Sequence, residues 1–422
     1  MIAEYPLWYD RTEMPATGSA LSRCDVLIVG GGITGLVAGI GLLQAGASVM
    51  VLDAMQPGQG ASGRAFGSIA LGSATSLSVL CNRHGPELGE RLWREASDAA
   101  AQFATYIATQ DLDADYRRSG HLRLAVAASH EAALRADHEA WRRVLGDESI
   151  DLVYGAALRM ALPGTRFRLG LLDEGTATVD PYRYVASLLR RFMALGGSYV
   201  AGCKATAIDR RADGFVTTHQ AGKSFSREVI HATNGYTGRL VPWLQRRVFP
   251  VGSYMIATEP LPAELRTAFD ARLRVHTTAY NLKNYFRLEA DGRLIFGGRA
   301  NLSAGVSNSA IATELRRAML HYFPMLASVP LTHVWGGQLG FTFDTMPHIG
   351  SHREMHYALG YCGRGLQMAT LFGQLLARTI SGEGHTSLHA DMVMPFRWYY
   401  RRRPWFLPIA AAYFRWQDRK QS

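Results

Sequence analysis

The sequence predicts an α/β fold that opens with a Rossmann-like dinucleotide-binding unit, and three observations support this. Within residues 25–29, the four residues after Asp25 are apolar and mostly β-branched without alternation, which is typical of a strand buried on both faces. A glycine-rich turn follows, and residues 36–45 read as a helix that ends at Gly46. A second apolar strand, residues 48–53, ends on the acid Asp53. This order of elements is that of the dinucleotide-binding fingerprint.

The glycines of this turn have separate predicted tasks. Gly30 makes the tight turn, Gly32 lets the backbone approach a pyrophosphate, and Gly35 lets the helix press against the strand. The pyrophosphate is expected at the helix N-terminus, where unpaired N–H groups favour an anion. Asp53 is expected to accept hydrogen bonds from ribose hydroxyls and to repel a 2′-phosphate. A transmembrane helix is excluded because glycines interrupt each apolar stretch.

Composition narrows the class of protein. The 422 residues allow about two domains, and the hydrophobic fraction of 48% is that of an ordinary globular protein. The four cysteines form no C-x-x-C pair, and residues 1–10 do not resemble a signal peptide, so a cytoplasmic location is expected. The net charge of +10 comes from dispersed arginines without a DNA-binding motif. Nucleic acid is therefore not expected as a partner.

Two further glycine-rich segments are candidate ligand loops. Residues 58–68 follow the acid-tipped strand directly, and the backbone amides, Ser62 and Arg64 could bind phosphate or approach a flat ring. A simple flexible loop explains this composition equally well. Residues 360–365 enter a predicted helix at 366–380 and form a ready anion site. Their pattern is not a second dinucleotide fingerprint.

The rest of the chain alternates predicted helices with short strands. Helices are predicted at 86–110, 129–145, 181–194 and 309–322, and strands include 120–126, 247–258, 285–288 and 294–297. Asp180 and Pro181 are a typical helix start. Residues 391–422 form a tail rich in Trp, Tyr, Phe and Arg, and one short helix is predicted at 409–419 with Tyr413, Phe414 and Trp416 partly buried.

Taken together, these motifs resemble the FAD-dependent amino-acid and amine oxidases of the D-amino-acid oxidase and glycine oxidase superfamily, particularly the γ-glutamylputrescine oxidase type. The resemblance covers nearly the whole chain. Its markers are Gly30–Gly35 with Asp53, Gly60–Arg64, Ala232–Tyr236, Ile256–Leu261, Tyr285–Leu288, Phe296–Gly298, Pro347 with Gly350, and Gly360–Gly365.

The resemblance implies an α/β (α+β) fold in which a Rossmann-like FAD-binding domain is intertwined with a mixed-sheet substrate domain. The implied FAD-binding segments are 1–85, 151–240 and 333–390. The implied substrate-domain segments are 86–150 and 241–332, and 391–422 forms the C-terminal arm.

The resemblance also implies which residues contact FAD. Adenosine is expected at Asp53 and near Ala205, the diphosphate at the first glycine turn, and the isoalloxazine between the loops at 62–64 and 363–365. The implied cofactor residues are Gly30, Gly32, Ile33, Thr34, Gly35, Asp53, Ser62, Gly63, Arg64, Ala205, Gly235, Gly363, Arg364, Gly365 and Leu366.

Three positions depart from the family pattern. The family often has Asn-Gly-Gly where this chain has Ala65-Phe66-Gly67, which flanks the flavin and bears on substrate identity. The family's Gly-His-Gly is Gly363-Arg364-Gly365, so that Arg364 either stabilises a reduced flavin anion or forms a surface ion pair. Relatives with covalent flavin use a cysteine in the segment that matches 340–347. This chain has none there, so noncovalent FAD is expected.

Side chains of the substrate sheet are the catalytic candidates, because the sheet can direct them at the flavin. Arg287 could clamp a substrate carboxylate, although a structural strand arginine is the slightly favoured alternative. No metal is expected, since Pro347 and Gly350 break any helix that would align the nearby histidines. The candidates are Tyr254, Tyr285, Arg287, Trp335 and Gln338.

The predicted function is oxidation of the C–N bond of an amine or amino acid to an imine, with O2 reduced to H2O2. The alternative keeps the fold but passes electrons to a quinone or a partner protein. In the tail, aromatic residues interleaved with arginines could lie in a membrane interface. A C-terminal arm packed on the protein body is favoured, because Pro404 and Pro408 interrupt a long amphipathic helix. Membrane association is not expected.

Overall fold

The computed structural model describes residues 2–146, 150–162, 166–267, 269, 272–298, 302–303, 305–384, 387–390, 392–401 and 403–421. Within these residues the strands form two eight-stranded sheets and one two-stranded sheet. In chain order the strands are β1 (Arg23–Val29), β2 (Val49–Leu52), β3 (Ser68–Ile69), β4 (His121–Ala125), β5 (Ile150–Tyr154), β6 (Leu169–Asp173), β7 (Ala177–Thr178), β8 (Ser198–Val200), β9 (Ala205–Arg211), β10 (Gly214–His219), β11 (Gly222–His231), β12 (Val248–Pro260), β13 (Val275–Thr278), β14 (Asn284–Leu288), β15 (Arg293–Gly298), β16 (Leu331–Thr342), β17 (His348–His352) and β18 (Met355–Leu359).

The helices begin and end close to the predicted positions. Asp180 caps its helix as expected, since its carboxylate accepts hydrogen bonds from the N–H groups of Tyr182 and Arg183. The α-helices are α1 (Ile33–Gln44), α2 (Ala61–Arg64), α3 (Leu77–His84), α4 (Pro86–Gln110), α5 (Ala128–Leu145), α6 (Gly155–Ala161), α7 (Pro181–Ala194), α8 (Pro242–Gln245), α9 (Ala263–Arg266), α10 (Asn308–Tyr322), α11 (Gly365–Ile380) and α12 (Leu407–Gln421).

The first large sheet is built around β1, as the sequence predicts. Its path runs β17-β18-β11-β1-β2-β8, and β1 pairs in parallel with both β2 and β11. Val26 and Ile28 pack into one apolar cluster, whereas Leu27 and Val29 pack into another. Burial on both faces explains why this strand shows no alternation of polar and apolar residues.

Close contacts between helices and strands fix the start of α1. A Cβ at Gly35 would lie 2.1 Å from the carbonyl oxygen of Gly30, so only glycine lets α1 approach β1 this closely. In α11, a Cβ at Gly373 would lie 2.7 Å from Cβ of Val37. The helices α1 and α11 therefore pack closely side by side. The close approach at Gly35 confirms its predicted role, which is to let α1 press against β1.

The second large sheet runs β16-β12-β15-β14-β13-β4-β6-β5 and is mostly antiparallel. β12 and β16 pair over most of their length, and β4 and β13 are parallel neighbours. One face of this sheet carries the apolar cluster that includes Leu122, Ile256, Phe286 and Phe296, against which α10 packs. The mixed α/β architecture is the one that the sequence predicts.

The sheets cut across two of the predicted segment boundaries. The segment 151–240 was expected in the FAD-binding domain, yet β5 and β6 at its start belong to the second sheet. The segment 333–390 begins inside β16, which also belongs to the second sheet. β12 and β16 pair with each other and therefore belong to the same sheet. If the two domains are divided by sheets, the last boundary between them falls after Thr342, where β16 ends.

The C-terminal arm packs partly on the second sheet. Tyr400, Leu407 and Ala411 are buried against an apolar cluster that includes Phe249. Outside this contact, Trp398 is 82% exposed, and Tyr413 and Trp416 are each 52% exposed. The predicted partial burial holds for Phe414, which packs on this cluster, whereas Tyr413 and Trp416 keep about half of their surface exposed. Among the described residues, no helix is both long and apolar enough to cross a membrane.

Candidate active site

A cavity of about 930 Å³ extends from the turn after β1 to the face of the second sheet. Its walls come from both sheets, from the N-terminal ends of α1 and α11, and from the segments on either side of α2. This volume lies in the usual range for sites that bury a ligand.

The turn after β1 lines one end of the cavity with backbone. Gly30 has φ of +108°, and a Cβ there would lie 2.7 Å from the carbonyl oxygen of Ala232. Gly32 is the N-cap of α1, and Ile33 and Thr34 follow it along the wall. Unpaired N–H groups at this helix end favour a bound anion.

Asp53 lies at the end of β2 and supports the same turn. Its two carboxylate oxygens accept hydrogen bonds from the backbone N–H groups of Gly31 at 2.8 Å and Met55 at 2.9 Å. Burial raises the pKa of Asp53, and these N–H donors partly offset the shift. The hydroxyl of Tyr199 lies 3.4 Å from the same carboxylate, and a carboxylate accepts about four hydrogen bonds, so this group can still accept one from a hydroxyl of a ligand.

The segment 58–68 is ordered by a single helical turn, α2. Ser62 Oγ accepts a hydrogen bond from the N–H of Ile33, which ties α2 to the start of α1. Gly63 does not line the cavity, because it packs against Gly58, whose carbonyl oxygen would be 2.2 Å from a Cβ. The alternative of a flexible loop is not what the structure shows.

Arg64 connects the loop of residues 58–68 to β16 of the second sheet. Its guanidinium donates to the carbonyl oxygens of Gln59 at 2.7 Å and Gly336 at 3.0 Å. The side chain lines the cavity, but these two bonds already hold the guanidinium in place. The geometry therefore gives Arg64 a positioning contact in addition to a place in the wall.

The second glycine loop lies opposite, where Gly363, Arg364, Gly365 and Leu366 line the cavity at the start of α11. Thr34 Oγ1 and the hydroxyl of Tyr361 are 2.6 Å apart, which links the N-terminal ends of α1 and α11. Two helix N-termini therefore open onto one cavity.

Two further cofactor candidates, Ala205 and Gly235, differ in whether they line the cavity. Ala205, the first residue of β9, lines the cavity with Lys204 and Thr206. Gly235 does not line it, because it packs against β16, where a Cβ would lie 2.8 Å from the carbonyl oxygen of Gln338.

The face of the second sheet closes the other end of the cavity. Ser253 and Met255 come from β12, Tyr285 from β14, and Val275 and Thr277 from β13. His121 and Arg123 of β4 complete this wall. Sequence reasoning missed most of this set, and only the alternation in residues 120–126 pointed to a half-exposed strand.

Tyr254 and Tyr285, both catalytic candidates, take opposite sides of this sheet. Tyr254 alternates with the cavity residues Ser253 and Met255, and its hydroxyl donates to the carbonyl oxygen of Ser303 at 2.9 Å on the core side. Tyr285 lines the cavity, and its hydroxyl lies 2.6 Å from Ser253 Oγ. The structure therefore brings Tyr285, and not Tyr254, to the site.

Arg287 is buried away from the cavity. Its Nε donates to Glu289 at 2.7 Å, and Nη1 donates to the carbonyl oxygen of Gly67 at 3.2 Å. The guanidinium also lies over the rings of Trp8 and Phe66. These contacts are those of the structural strand arginine that the sequence analysis slightly favoured over a carboxylate clamp.

The other two candidates on β16 also stay outside the cavity wall. Trp335 is fully buried, and its indole N–H donates to the carbonyl oxygen of Arg64. Gln338 does not line the cavity, whereas its neighbours Gly337 and Leu339 do. Alternation along the strand accounts for this difference.

The histidines near residue 350 have separate neighbours. His348 pairs with Asp344 at 3.0 Å, His356 with Glu228 at 3.4 Å, and the ring of His352 stacks on Trp243. Within the part of the chain that the structure describes, no group of three or more metal-ligating side chains is present.

Comparison with known proteins identifies the family. The model of the DAO family, described as FAD dependent oxidoreductase, matches residues 25–379. The chain belongs to this family. FAD is its cofactor, held noncovalently, and the segment 340–347 accordingly has no cysteine.

Relatives agree with this assignment over nearly the full length. The chain is 30% identical over 393 residues to the probable oxidoreductase OrdL of Rhizobium meliloti, which covers 89% of this chain and 88% of the relative. It is 29% identical over 401 residues to the γ-glutamylputrescine oxidoreductase of Escherichia coli, covering 94% and 93%. The fold matches the crystal structure of glycine oxidase from Geobacillus kaustophilus with a TM-score of 0.75 at 19% identity, covering 88% of this chain and 100% of that one.

The cavity of this DAO-family chain fits FAD in shape and chemistry. The N-terminus of α1 suits the diphosphate, and the half-buried acid Asp53 suits a ribose. Because Gly32 has no side chain, the space between its backbone and Ser62 stays free at the start of α1. A Cβ at Gly32 would lie 2.8 Å from Ser62 Oγ and fill that space.

Proposed function

We propose that this FAD-dependent oxidoreductase oxidises the C–N bond of an amine or amino acid to an imine, with O2 as the electron acceptor and H2O2 as the product. The observation that carries this proposal is the cavity, which runs from the fingerprint acid Asp53 to the polar face of the second sheet. When bound, FAD takes up the two electrons that leave the substrate. The chain's own residues have to bind the substrate, orient it and control its protons.

The lining supports a placement of FAD along this cavity. Asp53 and Ala205 would hold the adenosine, and the turn of residues 30–34 would hold the diphosphate. The isoalloxazine would lie between α2 and the start of α11. Arg364 would lie beside that ring, where its fixed positive charge would favour the reduced cofactor.

The substrate then lies between the flavin and the second sheet. Among the described lining residues, Asp53 is the only acid, whereas Arg123, Lys283 and Arg364 also line the cavity. Arg123 forms an ion pair with Asp137 at 2.7 Å, which compensates much of its charge. The charges of Lys283 and Arg364 favour a substrate that carries a carboxylate near its amine. Tyr285 and Ser253 offer hydroxyl groups on the same face. The names of two relatives, γ-glutamylputrescine oxidoreductase and glycine oxidase, point to amines and amino acids as substrates.

A second candidate function is a dehydrogenase that passes electrons to a quinone or a protein. It is favoured by the exposed arm residues Trp398 and Trp405 and by relatives named D-amino acid dehydrogenase. Both functions use the same cavity and differ only in the electron acceptor.

The test is a screen of the purified, FAD-loaded protein in air against primary amines, amino acids with free or substituted amino groups, and γ-glutamyl amines. We expect at least one compound to give equal amounts of consumed O2 and H2O2, with ammonia or a smaller amine as co-product. Substrate oxidation that needs a quinone dye and yields no H2O2 would favour the dehydrogenase. If no amine or amino acid is oxidised with either acceptor, the proposed substrate class is wrong.

A further inference from the structure

Two neighbouring strands place a histidine and a threonine side by side in the cavity wall. His121 lies on β4 and Thr277 on β13, and both side chains line the cavity. His121 Nε2 is 2.8 Å from Thr277 Oγ1, and His121 Nδ1 is 3.2 Å from a carboxylate oxygen of Asp173 on β6. His121 and Asp173 are buried, whereas Thr277 is half-buried. The three groups form one hydrogen-bonded chain from the core to the cavity.

The hydrogen bonds fix which nitrogen of His121 carries the proton. A carboxylate only accepts hydrogen bonds, and Asp173 also accepts one from the N–H of Thr176 at 2.8 Å. His121 Nδ1 therefore donates to Asp173, which leaves a lone pair on Nε2 in the neutral ring. Thr277 then donates its hydroxyl hydrogen to Nε2. The oxygen lone pairs of Thr277 are left to accept a hydrogen bond from a ligand in the cavity.

We propose that Thr277 and His121 take a proton from the ammonium form of the bound substrate. This proposal rests on the amine-oxidising function proposed above. The N–H bond of the ammonium breaks and its proton goes to Thr277 Oγ1, while the proton of the Thr277 hydroxyl goes to His121 Nε2. The electron pair of the broken N–H bond stays on the substrate nitrogen as its lone pair. The substrate becomes the neutral amine, and His121 becomes an imidazolium.

Asp173 is the positioning residue of this relay. It holds the ring in the tautomer that leaves Nε2 unprotonated, and its charge stabilises the imidazolium once the proton arrives. It lies behind the histidine and does not line the cavity.

The charged groups around His121 keep the resting ring neutral. Burial lowers the pKa of His121 most strongly, and the positive charges of Arg123 on the same strand and Arg364 before α11 lower it further. Asp173 opposes these effects only in part. A proton acceptor has to be unprotonated before the substrate arrives, and this environment provides that state at neutral pH.

A purely structural role for the same contacts makes a different prediction. If the chain only ties β4 to its neighbours, its loss lowers activity by the same factor at every pH. If it accepts the substrate proton, its loss changes the shape of the pH profile. The two roles are therefore separable by one set of kinetic measurements.

The variants Thr277→Val and Thr277→Ser distinguish the structural role from the proton-accepting role. Valine keeps the shape and removes the hydroxyl, whereas serine keeps the hydroxyl as the matched control. The measurement is the second-order rate constant of flavin reduction after anaerobic mixing, determined across pH with the amine found in the screen above. For wild type and Thr277→Ser we expect a level profile between the pKa of His121 and that of the free amine. For Thr277→Val we expect a tenfold rise per pH unit up to the amine pKa, roughly 100-fold over two units.

A second measurement on the FAD-loaded protein needs no substrate. In ¹⁵N NMR spectra of labelled histidines, the signal that disappears in His121→Gln should show a neutral ring protonated at Nδ1 at pH 7. A charged ring, or one protonated at Nε2, would overturn the relay. A level profile in Thr277→Val, or an equal loss at all pH values, would also overturn it and leave amine oxidation standing. Failure of the wild type to oxidise any amine would overturn the proposed function, and with it the substrate of this relay.

Discussion

The substitution Gly32→Val tests the assignment of the first glycine turn most sharply. Gly32 has φ of −79° and ψ of −168°, a backbone conformation that valine adopts without strain. Its Cβ direction is nevertheless occupied, because Ser62 Oγ would lie 2.8 Å from an added Cβ. The two further methyl groups of valine fill space that the diphosphate needs at the start of α1. The variant is therefore expected to fold but not to bind FAD.

The magnitude follows from the hydrogen bonds that are lost. Hydrogen bonds to a charged group each contribute about 1.5–3 kcal/mol, so the loss of two at the diphosphate costs roughly 3–6 kcal/mol. That loss weakens FAD binding by about 10²–10⁴-fold. The assay is the ratio of flavin absorbance to protein after gel filtration, together with titration of the apoprotein with FAD. Circular dichroism checks that the protein has folded.

Two alanine variants serve as comparisons for the loss of FAD binding in Gly32→Val. Gly32→Ala adds only the Cβ, which Ser62 can avoid by changing rotamer, so a smaller loss of affinity is expected. Gly18→Ala is the control outside the site, because its Cβ would meet its neighbours at 3.8 Å or more. Full flavin occupancy in folded Gly32→Val would show that the phosphate site is assigned to the wrong residues.

Three further outcomes are expected. Asp53→Ala should weaken FAD binding by about tenfold without abolishing it, since one hydrogen-bonding group is lost and the glycine turn remains; unchanged affinity in an FAD titration would remove Asp53 from the ribose site. Arg287→Met should lower the free energy of unfolding by about 2 kcal/mol, measured by urea unfolding, because Glu289 loses one of its two arginine partners and retains Arg11. Burial raises the pKa of Glu289, but the charges of Arg287 and Arg11 outweigh burial and lower that pKa. The ion pair therefore stabilises the fold at neutral pH, and this stabilisation is lost only as the pH falls through the lowered pKa. Wild-type stability of Arg287→Met at pH 7 would contradict this role. The full-length protein should stay in solution with anionic vesicles at physiological salt; cosedimentation that disappears on truncation after Met394, with flavin still bound, would instead favour the quinone-linked alternative.

Local sequence patterns brought the glycine turn and Asp53 together in the wall of one cavity. The turn at Gly30 and the acid Asp53 lie within one strand–helix–strand unit, so their spacing along the chain fixes their spacing in space. The same holds for the start of α11, where a glycine loop leads directly into a helix. The contacts that matter there are short-range and recur whenever this unit forms.

The substrate end could not be predicted in the same way. A strand presents alternate residues to opposite faces, so a shift of one residue exchanges Tyr254 with Ser253 and Met255. Sequence reasoning chose the tyrosine, and the pairing of β12 with β16 turns it into the core. His121 and Thr277 meet only because β4 and β13 pair across a long stretch of intervening chain. No local pattern marks such a meeting.

The measurement that most directly tests the central claim is anaerobic mixing of the purified, FAD-loaded protein with a single amine or amino acid substrate. The account predicts that the yellow flavin band bleaches in one turnover, with one equivalent of imine-derived product formed per FAD. Admission of O2 should then restore the band. Protein that cannot be loaded with FAD, or a flavin band that no amine or amino acid bleaches, would contradict it.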